Sequence, residues 1–180
     1  SRSMNMSSSN DGINISEKKF LKKLRDITKK KDILLIIDEV QTGIGRTGKW
    51  FAYQNFGIIP DIVTSAKGLG NGIPIGACMG NQKVSKLFEP GSHGSTFGGN
   101  PFVSTISLEV LKIIKERNLL DHVNEMGKFF INQLKDDLGN LKIVREIRGM
   151  GLMIGIELKK PNWPVVKDCL EKQNLLLNLT

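Results

Sequence analysis

Two residues of this chain are placed to do covalent chemistry. Asp38 stands at the exit of the apolar run Leu34-Leu35-Ile36-Ile37 and is followed by Glu39-Val40-Gln41. Lys67 follows a second apolar run, Ile62-Val63-Thr64, and sits among small residues in Ser65-Ala66-Lys67-Gly68-Leu69-Gly70. A carboxylate that pairs with a pyridine nitrogen and an amine that condenses with an aldehyde are the two protein groups a pyridoxal phosphate site requires. The small neighbours of Lys67 leave room for a flat, bulky ligand. For the Asp38-Glu39 pair alone, a plain strand cap facing solvent is an equal reading, and Lys67 shifts the balance. The chain between them is long enough for a loop, a helix and a return strand. A right-handed crossover then brings both to one edge of a sheet, at the carboxyl ends of strands where open α/β sheets hold ligands.

The elements that must position this pair alternate. Glu17 to Lys30 reads as a helix with Phe20, Leu24 and Ile27 as its apolar stripe. Ile33–Ile37 is apolar throughout, as buried parallel strands are. Gly43, Gly45 and Gly48 mark a loop, and Gly57 to Pro60 a turn. Ile62–Thr64 and Ile75–Met79 are two further strands, and Gly91 to Gly99 is a loop. Asn100-Pro101 supplies an N-cap and a first-turn proline for a helix running to about Arg117. A second helix starts near Leu119 and ends at Gly139-Asn140. Ile143–Ile147 and Leu152–Leu158 read as strands around a hairpin or bend at Gly149 and Gly151, and Val165 to Lys172 begins a last helix. The first two-thirds is therefore an α/β layered sheet, and the part from Leu119 is α+β.

Several other chemistries fall away. The net charge of +8 gathers largely between Lys18 and Lys31. Without interleaved aromatics for base stacking, this basic face is a solvated helix surface and not a nucleic-acid site. No run approaches a membrane span. Cys78 and Cys169 fit no metal or disulfide spacing. Cys78, in an apolar strand, is expected to be a buried free thiol, which suits a reducing, cytoplasmic compartment, or an organelle matrix in a eukaryote. Gly43-Ile44-Gly45-Arg46-Thr47-Gly48-Lys49-Trp50 nearly spells a P-loop. It ends in Trp50 where a hydroxyl must reach magnesium, and its acidic strand precedes the loop. Ser95-Thr96-Phe97-Gly98-Gly99-Asn100 offers hydroxyls and backbone N–H groups at a helix start, as phosphate sites do. His93 reads as structural, and Arg148, in Arg148-Gly149-Met150-Gly151, could meet a carboxylate but is read as part of a tight glycine bend.

Five stretches together make the chain recognisable: Asp38-Glu39-Val40-Gln41-Thr42-Gly43-Ile44-Gly45-Arg46-Thr47-Gly48, Pro60-Asp61-Ile62, Ala66-Lys67-Gly68-Leu69-Gly70, Pro74-Ile75-Gly76-Ala77, and His93-Gly94-Ser95-Thr96-Phe97-Gly98-Gly99-Asn100-Pro101. In this order they resemble the class III aminotransferases, most closely the acetylornithine group, with ornithine, succinylornithine and 4-aminobutyrate aminotransferases as near relatives. The resemblance implies part of a fold type I large domain, a mostly parallel sheet with helices on both faces, plus part of an α+β small domain. It implies pyridoxal 5'-phosphate as cofactor and a homodimer with active sites at the interface. The implied reaction moves the ω-amino group of N-acetylornithine, or a related donor, to 2-oxoglutarate in arginine biosynthesis.

By the same resemblance, Lys67 forms the Schiff base and then shuttles the proton, and Asp38 keeps the pyridine nitrogen protonated. Val40 packs on one ring face and Gln41 bonds the phenolic oxygen. Glu39 belongs to the same cofactor-binding segment. Thr96 reaches the cofactor phosphate of the neighbouring subunit, and Ser95 lies at the substrate. No metal is implied. The expected division is a tag-like or disordered 1–11, the second half of the cofactor domain over 12–118, and a partial small domain over 119–180. Family members are much longer. Met6 to Asp11 stand where the family carries a glutamate, and the chain stops before the arginine that takes the α-carboxylate. The chain is thus expected to act as part of a longer enzyme. The alternative of another class is a non-catalytic fragment that binds a partner chain through an open sheet edge.

Overall fold

The computed structural model describes residues 4–5, 12–160 and 163–179. Four short strands form the main sheet: β1 (Met4–Asn5), β2 (Ile36–Asp38), β3 (Ile62–Ser65) and β4 (Ala77–Gly80), in the order β1-β2-β3-β4. The first three are parallel, and β4 runs antiparallel to β3. Met4–Asn5 therefore departs from the tag-like reading of residues 1–11. Ser1 to Ser3 and Met6 to Asp11 lie outside the described residues.

The strand expected over Ile33–Ile37 begins later. Asp61 sets its start: the Asp61 N–H donates to the Leu35 carbonyl at 2.9 Å, and the Leu35 N–H donates to the Asp61 carboxylate at 2.9 Å. Ahead of this anchor, Ile33 and Leu34 are exposed. The strand is not uniformly buried either. Leu35 and Ile37 face the core, and Ile36 and Asp38 are half-buried on the other side.

Helix α1 (Lys18–Lys30) packs its Leu21 against Leu35, Ile37, Ala52, Phe56 and Ile58. Its buried stripe is Leu21, Thr28 and the flanking Leu24. Phe20 and Ile27, read from the sequence as stripe residues, are half-exposed on one side of it. Burying two such side chains stabilises by about 1.5–3 kcal/mol each at full coverage, and here that gain falls mainly on Leu21. Two single-turn helices, α2 (Tyr53–Phe56) and α3 (Gln82–Ser85), are too short to show a helical period in the sequence.

Helix α4 (Pro101–Glu116) starts as its sequence dictates. The Asn100 side chain accepts from the Val103 N–H at 3.2 Å, and Pro101 takes the first position. Helix α5 (Leu119–Leu138) ends at Gly139. Strands β5 (Val144–Met150) and β6 (Met153–Leu158) form an antiparallel hairpin, and α6 (Trp163–Gln173) follows. The hairpin turns at Gly151-Leu152, so Gly149 lies within β5 and not at a bend.

Candidate active site

Asp38 is the last residue of β2 and lies in register with Thr64 of β3. Its Oδ1 accepts from the Val40 N–H at 2.9 Å. Its other oxygen has no partner among the described residues and is left to accept from a ligand. Val40 thus contributes its backbone N–H to aiming Asp38, and Gln41 lies half-buried in the same segment.

Lys67 lies three residues beyond Thr64, at the same carboxyl end of the parallel pair. That offset is roughly 10 Å of extended chain. The chain does not stay extended, because Lys67–Leu69 forms a 3-10 turn, with the Gly70 N–H donating to the Lys67 carbonyl at 3.2 Å. Lys67 takes φ +42°, a left-handed backbone that a non-glycine residue rarely adopts. Such a residue costs on the order of 1–3 kcal/mol and persists where its surroundings fix it. The amine is exposed and makes no hydrogen bond or ion pair among the described residues. The close fit of this turn is set by Gly70, where a Cβ would lie 2.1 Å from the Ile73 carbonyl oxygen.

Glu39 corrects the sequence reading. Its side chain is fully buried, and both carboxylate oxygens are used within the chain. One accepts from the Thr42 hydroxyl at 2.5 Å and the Ala52 N–H at 3.0 Å, the other from the Tyr53 N–H at 2.9 Å. Burial pushes its pKa up, and those three hydrogen bonds oppose the rise without cancelling it. Glu39 therefore fastens the ends of the following loop and does not face a ligand. The signal was present in the sequence: a two-residue strand period places Leu35, Ile37 and Glu39 on one face and Ile36 and Asp38 on the other.

The remaining candidates are spread out. Ser95 and Thr96 lie in an exposed loop ahead of α4, with the Ser95 hydroxyl accepting from the Gly98 N–H at 3.1 Å. No described contact brings them to Asp38 or Lys67. His93 is exposed and meets the Phe88 ring edge-on at 5.2 Å. Arg148 is a strand residue, bonded to Glu157, to Glu146 at 2.8 Å and to the Ile13 carbonyl. The bonds to Glu157 and Glu146 hold its guanidinium above the ordinary range. Cys78 is exposed, against expectation. It pairs with Thr64, itself paired with Asp38, so it falls on the open face of the sheet. No group of residues that could hold a metal ion occurs among the described residues.

A cavity of about 580 Å³ lies against the opposite face, lined by Ser65, Leu69, Ala77, Met79, Leu108 and Leu111 among others. Its sheet residues alternate with Asp38 and Thr64, so it is separate from the Asp38–Lys67 edge. The residue that sequence reasoning left without a role is Asp61. It takes Arg25 through both oxygens, at 2.6 and 3.2 Å, and Asn81 at 2.8 Å.

Comparison with known proteins settles the family. A model described as aminotransferase class III matches residues 6–176. The chain belongs to the class III aminotransferase family. Acetylornithine aminotransferase from Aquifex aeolicus is 49% identical over 94% of this chain and 43% of its own length. The structure of Plasmodium falciparum ornithine delta-aminotransferase superposes with a TM-score of 0.90 at 34% identity, covering 99% of this chain and 47% of that one. Ornithine aminotransferase from Toxoplasma gondii gives a TM-score of 0.89 at 35% identity over 98% of this chain and 42% of that one, and it holds pyridoxal phosphate at partial occupancy in its active site. These likenesses make the large sheet of this aminotransferase chain part of the fold type I architecture. The chain spans less than half the length of these relatives.

Proposed function

We propose that this chain supplies the Asp38–Lys67 portion of a pyridoxal phosphate site in an ω-amino-acid aminotransferase. The donor is N-acetylornithine and the acceptor 2-oxoglutarate, and the working unit is a homodimer in the cytoplasm. One observation carries this reading: an unengaged carboxylate oxygen and an unengaged amine stand at the same end of adjacent parallel strands.

The donor set fits the group. Asp38 offers the acceptor that a protonated pyridine nitrogen needs, and Lys67 offers the only side-chain amine on that edge's turn. When bound, pyridoxal phosphate supplies the electron sink that stabilises a carbanion. The chain's own residues do the rest. Asp38, aimed by the Val40 N–H, holds a proton at the ring nitrogen. Lys67 would hold the group covalently through its amine and, as a free amine, would carry a proton to and from the substrate carbon. Gln41 orients the ring from the same segment, Val40 covers one face, and Ser95 and Thr96 act across the dimer interface. Residues 12–118 belong on this reading to the cofactor domain and 119–180 to the small domain.

Ornithine as donor is a second reading, favoured by the likeness to solved ornithine aminotransferase structures. The identity to acetylornithine aminotransferase, 49%, supports the first. The test is to add pyridoxal phosphate, reduce with borohydride and map the adduct by peptide mass. A single adduct on Lys67 is expected, and its loss in Lys67→Ala. Adducts scattered over the surface lysines refute the site. Assays of the natural-length protein with N-acetylornithine and with ornithine then separate the two donors.

A further inference from the structure

The loop after Gln41 is held from outside by a part of the chain remote in sequence. Residues Gly43 to Gly48 form a run of turns, with Gly43, Gly45, Thr47 and Gly48 buried. Asn124, on α5, donates from Nδ2 both to the Gly48 carbonyl and to the Leu120 carbonyl of its own helix, each at 3.0 Å. The tip of the β5–β6 hairpin adds a second point, where the Leu152 N–H donates to the Arg46 carbonyl at 3.0 Å. Both points require bare backbone. Gly151 takes φ +57°, and a Cβ there would lie 2.7 Å from the Arg46 carbonyl oxygen. A Cβ on Gly127 of α5 would lie 2.3 Å from the Gly151 oxygen. Helix, hairpin tip and loop are thus in van der Waals contact in that order.

We infer that Asn124 and the hairpin tip act as a latch that positions the Asp38–Gln41 segment, making Asn124 a positioning residue for the proposed cofactor site. The connection from latch to site is short and stiff. The Gly43 N–H donates to the Glu39 carbonyl at 2.9 Å, the Thr42 hydroxyl to the Glu39 carboxylate, and the Val40 N–H to Asp38. Gly43, Thr42 and Val40 are thus each tied back to Glu39 or Asp38, so a shift of the loop is carried toward the carboxylate. A misplacement of about 1 Å in a site of this kind costs on the order of a hundredfold in rate.

The inference rests on the proposed pyridoxal phosphate site, and its test separates the two. Asn124→Ala removes both hydrogen bonds, and Asn124→Ser keeps a donor on a shorter arm. Three quantities are read on the natural-length protein: affinity for pyridoxal phosphate by absorbance titration, the pH dependence of the bound absorbance band, and amide exchange in residues 42–48. Asn124→Ala is expected to weaken affinity about tenfold, the equivalent of one hydrogen bond. It should also shift the pH dependence and speed exchange in the loop, with Asn124→Ser partly restoring all three. A structural role alone would lower the melting temperature and leave affinity and the pH curve where they were, and that result overturns the inference. Unchanged exchange in 42–48 overturns it as well. Wild-type protein that binds no pyridoxal phosphate refutes the proposed function instead, and loop exchange still decides the latch.

Discussion

Replacing Asp61 by asparagine tests what holds the strand register. Asp61 stands at the entry of β3 and receives four hydrogen bonds: two from Arg25 of α1, one from the Leu35 N–H ahead of β2, and one from Asn81 after β4. One carboxylate therefore ties the surface helix and three strands together at the end opposite Asp38 and Lys67. Asp61→Asn keeps the shape and offers one acceptor oxygen in place of two. One donor pair then faces an amide NH2, and Arg25 loses its counter-charge. Removing one partner of a buried pair costs about 3–5 kcal/mol. The Arg25 side chain is 19% exposed and that of Asp61 10%, so solvent screening brings the expected loss down to about 2–3 kcal/mol. With a urea slope of about 2 kcal/mol/M, the midpoint should fall by about 1–1.5 M. The pH dependence gives a sharper check. Burial alone would raise the Asp61 pKa, but the bonds from Arg25, Leu35 and Asn81 outweigh it and hold it below the ordinary value of 3.8. A group depressed on folding contributes stability that is fully present above its unfolded pKa and is lost as pH falls through the folded one. The gap between wild type and Asp61→Asn should thus hold steady at neutral pH and narrow as pH falls below 3.8. Urea melts at neutral and acid pH measure both. A gap that is absent at neutral pH, or unchanged in acid, refutes the role given to Asp61.

Glu39→Gln should behave with the opposite slope. Burial raises the folded pKa of Glu39 above 4.5, so its contribution is present below that value and is lost as pH rises through the folded one. The variant should lose that decline while paying roughly 1–2 kcal/mol for a backbone N–H left facing an amide, and calorimetry across pH 4 to 7 showing parallel curves would contradict this. Cys78 is exposed and Cys169 half-buried, so a thiol reagent should modify Cys78 first in native protein; labelling only after denaturation would show that the outer face of β4 is covered. Asn100→Ala removes the cap that accepts from Val103 and should cost about 1 kcal/mol, read as a drop of about 2–4 °C in melting temperature; an unchanged melt would mean that Pro101 alone starts α4.

Most of the elements could be read from residues whose effects are local. Asn100-Pro101 starts α4 and Gly139 ends α5 because capping and first-turn chemistry act within one turn. That Asp38 and Lys67 fall at one end of two parallel strands could be read because two apolar runs joined by a crossover leave few topologies. What escaped was of two kinds. Single-turn helices such as Tyr53–Phe56 carry no period to detect. Long-range polar contacts leave no pattern at all: Asp61 meets Arg25 across 36 positions, and Asn124 meets Gly48 across 76. Arg148 reads from the sequence as part of a bend because Gly149 and Gly151 follow it closely. The turn falls at Gly151, whose left-handed backbone and close contact with the 43–48 loop are what need glycine there.

The adjacent acids show how a strand divides labour between neighbours. Successive side chains point to opposite faces, so Asp38 and Glu39 cannot both serve a ligand. The outward one must stay short. An aspartate is steadied by the N–H two residues on, as Asp38 is by Val40, and keeps an oxygen free. The inward one must be long. It has to reach Thr42 and also Ala52 and Tyr53 thirteen and fourteen residues away. An aspartate there would fall short by one carbon–carbon bond, about 1.5 Å, enough to break bonds of 2.9 and 3.0 Å. The order Asp then Glu is therefore set by geometry: a carboxylate steadied at the strand end on one side, loop anchorage on the other. The burial of the Glu39 carboxyl group is tolerated because three donors converge on it. The same donors close the loop that α5 and the hairpin tip grip from outside. Asp38 is thus fixed from inside by its neighbour and from outside by residues that follow it in sequence by more than eighty positions.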